Sequence, residues 1–392
     1  MRSRSGGSVA GVSPWSTAAT TTAAPRGARL AVFVVAAAGV AVTLVAFALA
    51  RTRETELQRA AFERRSRDLA TTLQAGLAGP VEVLRSLPAF FEASEQEISR
   101  AQFGEFVRPA LARHPSIAAL EWFPLVRRDE RATFEEATRR ELPGFEIRDP
   151  AGGLMVRSPV RETHLALSFM EPPTPSVIGL DLGFEADGRA RADRAGASGL
   201  LLVSPRTKLV EDPEGVHSVV LYAPVYRRGA PRATDAQRQA AWKGVAVALL
   251  RLKPLVESAL HGAALEGVSL ELVDESGPPD LRSLYTRPLP EPGALRFVHP
   301  LTLGDRRYGL RVAGDRNAEG PGAASIAVLL FGALLTALTT TAFGLRAWLA
   351  RMRSHALAAE QLGSYVLEER IGEGGMGIVY RARHALMRRP TA

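Results

Sequence analysis

The alternation of apolar and polar positions divides the chain into three regimes. From Leu30 to Ala50 no residue is charged, and Ala323 to Leu345 repeats the pattern. At 1.5 Å rise per residue, such runs of about 20 residues cross a hydrocarbon core of roughly 30 Å. No comparable run occurs elsewhere, so the pattern predicts two spans, over 29–50 and 321–345, with a polar tail at 1–28. Between the spans, 51–319 alternates like a soluble domain. It opens on a helical register, Leu57, Ala61, Leu69, Leu73 and Leu77, which predicts a stalk helix with a stripe suited to pairing with a second copy as a homodimer.

Further helices are predicted over 83–93, 98–113, 130–142 and 189–197. Strands are predicted over 117–126, 145–148, 165–169, 200–204, 219–226 and 245–252, followed by 268–273, 295–298 and 308–312 in a smaller region. Strand runs with interposed helices, without regular strand–helix–strand alternation, give an α+β class with antiparallel sheets. Two tandem PAS-like lobes are the expected form.

Charge sets the orientation. Arg2, Arg4, Arg26 and Arg29 precede the first span, and Arg346, Arg351 and Arg353 follow the second, with no acid among them. Both flanks therefore read as cytoplasmic and the intervening domain as extracytoplasmic, in an inner membrane. Arg51 and Arg53 lie on the opposite side, but a long domain is translocated despite such charges. The small-x-small run Ala48-Leu49-Ala50 would suit a signal-peptidase site; the length of the apolar run and the polar tail before it favour an anchor.

Composition adds exclusions. The formal charge of +8 is almost all arginine, with lysine only at positions 208, 243 and 253, and no basic stripe interleaved with aromatics appears. Nucleic acid is therefore not an expected partner. With no cysteine, disulfides and thiolate metal sites are excluded, and the seven histidines show no ligand spacing. No nucleophile elbow or other catalytic constellation occurs between the spans.

The run from Ser116 to Val126 (SIAALEWFPLV), then Glu130-Arg131 and Phe134-Glu135, Gly179-Leu180-Asp181-Leu182, Ser204-Pro205 with Leu209, and Tyr222-Ala223-Pro224-Val225-Tyr226 resemble, in that order, a CHASE domain. That family of extracytoplasmic sensors is attached to histidine kinases, cyclases and some serine/threonine kinases. The resemblance implies a small-molecule ligand in the membrane-distal lobe. Leu209 is similar in position to an apolar pocket residue of the plant cytokinin receptors. Tyr222 stands where those receptors carry a hormone-contacting threonine, so a phenol occupies space that a purine-like ligand would need. Asp181 and Asp187 are candidate anchors for a ligand amine, each weighed against a role as helix cap or turn residue.

After a linker over 346–364, residues from 365 to 392 hold Ile371-Gly372-Glu373-Gly374-Gly375-Met376-Gly377-Ile378-Val379, a G-x-G-x-x-G-x-V run with a strand predicted on each side. A dinucleotide fold would need a helix after the glycines. The run resembles the eukaryotic-type serine/threonine kinases of bacteria. That likeness implies a phosphate loop for ATP with Mg, in which Gly372, Gly374 and Gly377 let the backbone approach the phosphates and Ile371 and Val379 enclose the adenine. The lysine, catalytic aspartate and metal-binding residues of that family are absent from this sequence, so no phosphoryl transfer is expected of these residues alone. The sequence thus reads as a sensor joined to the opening of a kinase, or alternatively as a catalytically silent ligand-binding module whose kinase has decayed.

Overall fold

The computed structural model describes residues 26–392 apart from 95, 208–216, 290–291, 316–319, 360, 363–364, 375–376, 385–389 and 392. The chain forms two compact units, one of Thr55–Gly320 and one of the flanking segments.

In the first unit, helix α1 (Arg26–Ala93) supplies the stalk. It is continuous from the apolar run through Phe91, and the helix expected separately over 83–93 is its last part. Pro80 and Pro88 sit inside it, each removing a backbone donor at a cost of roughly 3 kcal/mol. Burial offsets that cost: Leu73, Leu84 and Leu87 are fully inaccessible, and each such side chain contributes about 1.5–3 kcal/mol. Leu69, Leu73 and Leu77 of the proposed pairing stripe belong to the same intrachain core. They are therefore not free to meet a second copy, and only Leu57 and Ala61 of that stripe are exposed.

Helix α2 (Arg100–Arg113) starts at a reciprocal cap between Ser99 and Gln102. The first lobe follows: β1 (Ile117–Arg127), α3 (Arg131–Arg139), a ribbon of β2 (Arg148–Ala151) and β3 (Leu154–Arg157), β4 (Thr163–Leu165), β5 (Phe169–Glu171), α4 (Ala186–Ser198), β6 (Leu202–Val203), β7 (Ser218–Tyr226), α5 (Asp235–Ala241) and β8 (Trp242–Arg251). Its antiparallel sheet runs β4-β1-β8-β7-β6, with β5 also pairing β1. The single strand expected over 165–169 is two, because Ala166 to Ser168 leave the ladder; the strand expected at 145–148 begins only at Arg148.

Helix α6 (Leu252–Ala259) leads to the second lobe, β9 (Val268–Asp274), β10 (Ser283–Arg287), β11 (Pro292–Leu303) and β12 (Arg306–Asp315), in the order β10-β9-β12-β11. Tandem antiparallel sheets in an α+β arrangement are thus observed. Helix α1 packs on both lobes. Phe62 meets Phe297 and the Ser66 hydroxyl lies 2.9 Å from His299 Nε2 in the second lobe, while Phe91 stacks on Trp122 at 4.2 Å in the first.

In the other unit, the N-terminal part of α1 packs antiparallel to α7 (Ala323–Ala359). Among the described residues, two helices are long and apolar enough to cross a membrane, and large apolar side chains such as Phe33, Val42, Leu330 and Phe331 are exposed on them. Their threonines bond back to the helix: Thr43 to Gly39, Thr336 to Gly332 and Thr340 to Thr336. Hydroxyls satisfied in this way suit an apolar solvent, and the chain reads as a membrane protein. Strands β13 (Gln361–Leu362), β14 (Tyr365–Gly374), β15 (Gly377–His384) and β16 (Pro390–Thr391) form a small antiparallel sheet.

A candidate ligand cavity in the first lobe

The first-lobe sheet is covered on both faces, and period-2 alternation sorts its side chains. On β8, Ala246, Ala248 and Leu250 join α1, whereas Val245, Val247 and partly buried Leu249 face the other way. On β7, Leu221 and Ala223 turn to α1, and Tyr222 and Tyr226 to the opposite core. The face away from α1 holds a cavity of about 440 Å³. Its floor comes from the sheet: Ala119, Glu121 and Phe123, Val220 and Tyr222, Val247, Leu249 and Arg251. Its cover comes from the segment after β4, through Leu167, Met170, Thr174, Val177, Leu180, Leu182 and Glu185.

A cavity of this size, mainly apolar with a few polar groups, is the form small-ligand sites take. Glu121, only 6% exposed, brings a carboxylate into the apolar middle of β1. The Tyr222 phenol is pushed well above its ordinary value by burial and, secondarily, by the negative field of Glu185, so it stays a neutral hydroxyl. Thr207 and Arg251 add polar groups.

Of the candidates named from sequence, Tyr222 is in this cavity. Asp181 is not. It caps the short 3-10 turn Leu182–Phe184 through the Gly183 N–H at 3.0 Å, and its carboxylate is fully buried. It accepts from Arg161 at 2.6 Å, His164 Nδ1 at 2.7 Å and the Leu165 N–H at 3.1 Å. Burial alone would raise this carboxyl; the bonds from His164, Gly183 and Leu165 outweigh it and bring it to about 2. With both oxygens engaged, Asp181 holds the cover in place and offers nothing to a ligand amine. Asp187 is exposed in the first turn of α4, where it complements the helix dipole, and is likewise not a lining residue. Leu209 lies outside the described residues.

The polar chain continues beneath the cover. Arg131 Nη1 lies 3.4 Å from His164 Nε2, and its Nε donates to Glu135 at 3.0 Å; Glu135 also receives Arg139 and Arg157. Burial opposes ionisation of Glu135, yet Arg131 and the Ile147 N–H bring its carboxyl below the usual range. This network ties α3, the β2–β3 ribbon and β4 to the cover.

Sequence reasoning missed Glu121, Glu185 and Arg251. The signal for Glu121 was present: a carboxylate in the middle of the strand run that carries the family likeness. Glu185 and Arg251 carried none, since each sits at an element boundary. In the tail, Gly372 pairs with Val379 and Gly374 with Gly377, so a strand and not a helix follows the glycines. Ile371, Glu373 and Val379 are on this hairpin; Gly375 and Met376 lie outside the described residues.

The CHASE domain model matches residues 96–285, a stretch that includes every residue lining the cavity. Among solved structures, the chain is similar to the ligand-binding domain of the amino-acid chemoreceptor PctC of Pseudomonas aeruginosa in complex with GABA, at 17% identity and TM-score 0.38, over 66% of this chain and 100% of that one. It is similar also to a structure titled methyl-accepting chemotaxis protein X, at 14% and 0.41, over 67% and 98%. A third is the periplasmic sensory domain of a Campylobacter jejuni chemoreceptor, at 11% and 0.37, over 70% and 98%. No curated protein matches the chain.

Proposed function

We propose that this chain is an inner-membrane receptor whose exported sensor binds a small organic ligand in the first-lobe cavity and passes its occupancy to a cytoplasmic serine/threonine kinase domain that begins at Tyr365. The cavity itself carries the reading: about 440 Å³, apolar walls, and a few inward polar groups headed by Glu121 and Tyr222. The sheet that floors the cavity packs its other face on α1, the helix that continues into the first apolar run. A ligand that favours one arrangement of that sheet would bias the helix by its differential affinity for the two states.

On the cytoplasmic side, the β14–β15 hairpin is the form a kinase phosphate loop takes. Gly372 and Gly377 would let the backbone amides approach the phosphates of ATP, with Ile371 and Val379 against the adenine. Mg would come with ATP in the complete domain, and its protein ligands are not among these residues.

The test is a thermal-shift screen of the full chain in nanodiscs against purines, amino acids and short peptides. A compound at a hundredfold excess over its Kd adds about 2.7 kcal/mol, or a rise of about 5 °C. If no compound shifts the wild type, or a shift survives blocking of the cavity by Leu249→Trp, the cavity is not the sensor site. ATP-analogue binding by the longest natural gene product tests the kinase arm, absence of binding leaving a catalytically silent receptor. Reporter fusions that place 55–320 on the same side as 365–392 would remove the receptor reading.

A further inference from the structure

The two apolar helices are held tightly at their middle and at one end. A Cβ on Gly39 would fall 2.6 Å from Thr336, and one on Gly332 would fall 2.5 Å from Thr43, so the backbones meet where only glycine fits. At the end nearer the sensor sequence, Glu54 accepts the N–H groups of Gly322 at 3.1 Å, Ala324 at 3.0 Å and Ser325 at 3.1 Å, capping α7. At the opposite end the helices part around a groove of about 410 Å³. Val32, Phe33, Gly344 and Trp348 make its apolar wall, and Arg29 and Arg351 stand on it from opposite helices.

Neither guanidinium has a hydrogen-bond or ion-pair partner among the described residues, and neither α7 nor α1 ahead of Glu54 contains a carboxylate. Arg29 lies about 38 Å along α1 from Glu54, at 1.5 Å per residue. A bilayer is about 40–45 Å thick with its headgroups, so this distance brings the two guanidinium groups to phosphate depth while the groove wall reaches into the acyl region.

We propose that this groove is a site for one anionic phospholipid, its phosphate between Arg29 and Arg351 and an acyl chain along Phe33 and Trp348. Two unpartnered guanidinium groups call for a phosphate with no compensating ammonium, and the apolar wall calls for a chain attached to it. A free phosphate satisfies only the first demand.

The full chain, solubilised from vesicles holding phosphatidylglycerol and phosphatidylethanolamine in equal amounts, is assayed by native mass spectrometry for retained lipid. Wild type is expected to retain phosphatidylglycerol selectively. The double variant R29Q/R351Q lowers that retention by about tenfold or more. Gly344→Leu lowers it as well with both charges intact, because a side chain at Gly344 meets nothing within 4 Å and enters the groove. R353Q, at an exposed arginine outside the groove, leaves it unchanged. Retention of the two lipids in bilayer proportion by wild type overturns the site. So does an R353Q effect equal to that of the double variant, or full retention by Gly344→Leu. An unaltered sensor melting temperature in each variant separates loss of the lipid from loss of the fold.

Discussion

Replacing Asp181 by asparagine tests the claim that this residue holds the cavity cover and does not anchor ligand. The carboxylate is fully buried and serves Arg161, His164 and two backbone N–H groups at 2.6–3.1 Å. An amide keeps one acceptor but turns donors toward Arg161 and His164, so the site loses its buried carboxylate and Arg161 keeps only its pair with Asp149. Breaking a buried pair from one side costs about 3–5 kcal/mol, which for a domain of this size lowers the melting temperature by about 6–15 °C. The pH dependence gives a second measure. Asp181 titrates in the folded protein at about 2 against an ordinary 3.8, so its stabilisation is complete above about pH 4 and is lost as pH falls toward 2. That difference is about 2–2.5 kcal/mol. Melting of the full chain in nanodiscs, followed by circular dichroism from pH 6 to about 2.5, should therefore show a steeper acid loss for wild type than for D181N. Asp187→Asn, on the exposed first turn of α4, should change neither quantity by more than about 0.5 kcal/mol. Equal stability of D181N and wild type, with parallel acid profiles, would refute the positioning role.

Three further outcomes are expected. In the second lobe Arg306 donates from Nε and an Nη to one Asp274 oxygen at 3.0 and 2.6 Å, both side chains being buried; Arg306→Leu should destabilise the sensor by about 3–5 kcal/mol in urea unfolding. Gly179 has φ +89°, and a Cβ there would fall 2.2 Å from the Glu146 carbonyl oxygen, so Gly179→Ala should cost at least about 1–3 kcal/mol and loosen the cover next to the cavity. Leu249→Trp fills the cavity from a half-buried position; it should leave the apo melting temperature within about 3 °C of wild type while removing any ligand-induced rise, as read by differential scanning calorimetry.

Local pattern was enough for most elements of the sensor. The strands at 117–126, 219–226, 245–252 and 268–273 were legible because apolar alternation and β-branched runs are properties of neighbours in sequence, and each lies within a few residues of its observed span. The strand β10 and the helices α5 and α6 were not read, being short and flanked by proline or charge. The cavity was legible only in part. Tyr222 came from likeness of order along the chain, whereas Glu121, Glu185 and Arg251 became neighbours through strand pairing and the return of the 167–185 segment over the sheet.

The two long apolar helices, the two-region α+β class, the glycine run with a strand on either side and the lack of cysteine were determined by the sequence alone, since each depends on composition or on spacing within one element. Tertiary structure decided which of two similar aspartates is buried in a hydrogen-bonded network. It also decided that three stalk leucines face this chain's own sheets, and that one face of the first sheet is left with a hollow. Those facts depend on which distant segments meet, and a carboxylate or a leucine has the same local signal whether it meets a ligand, another copy or its own core.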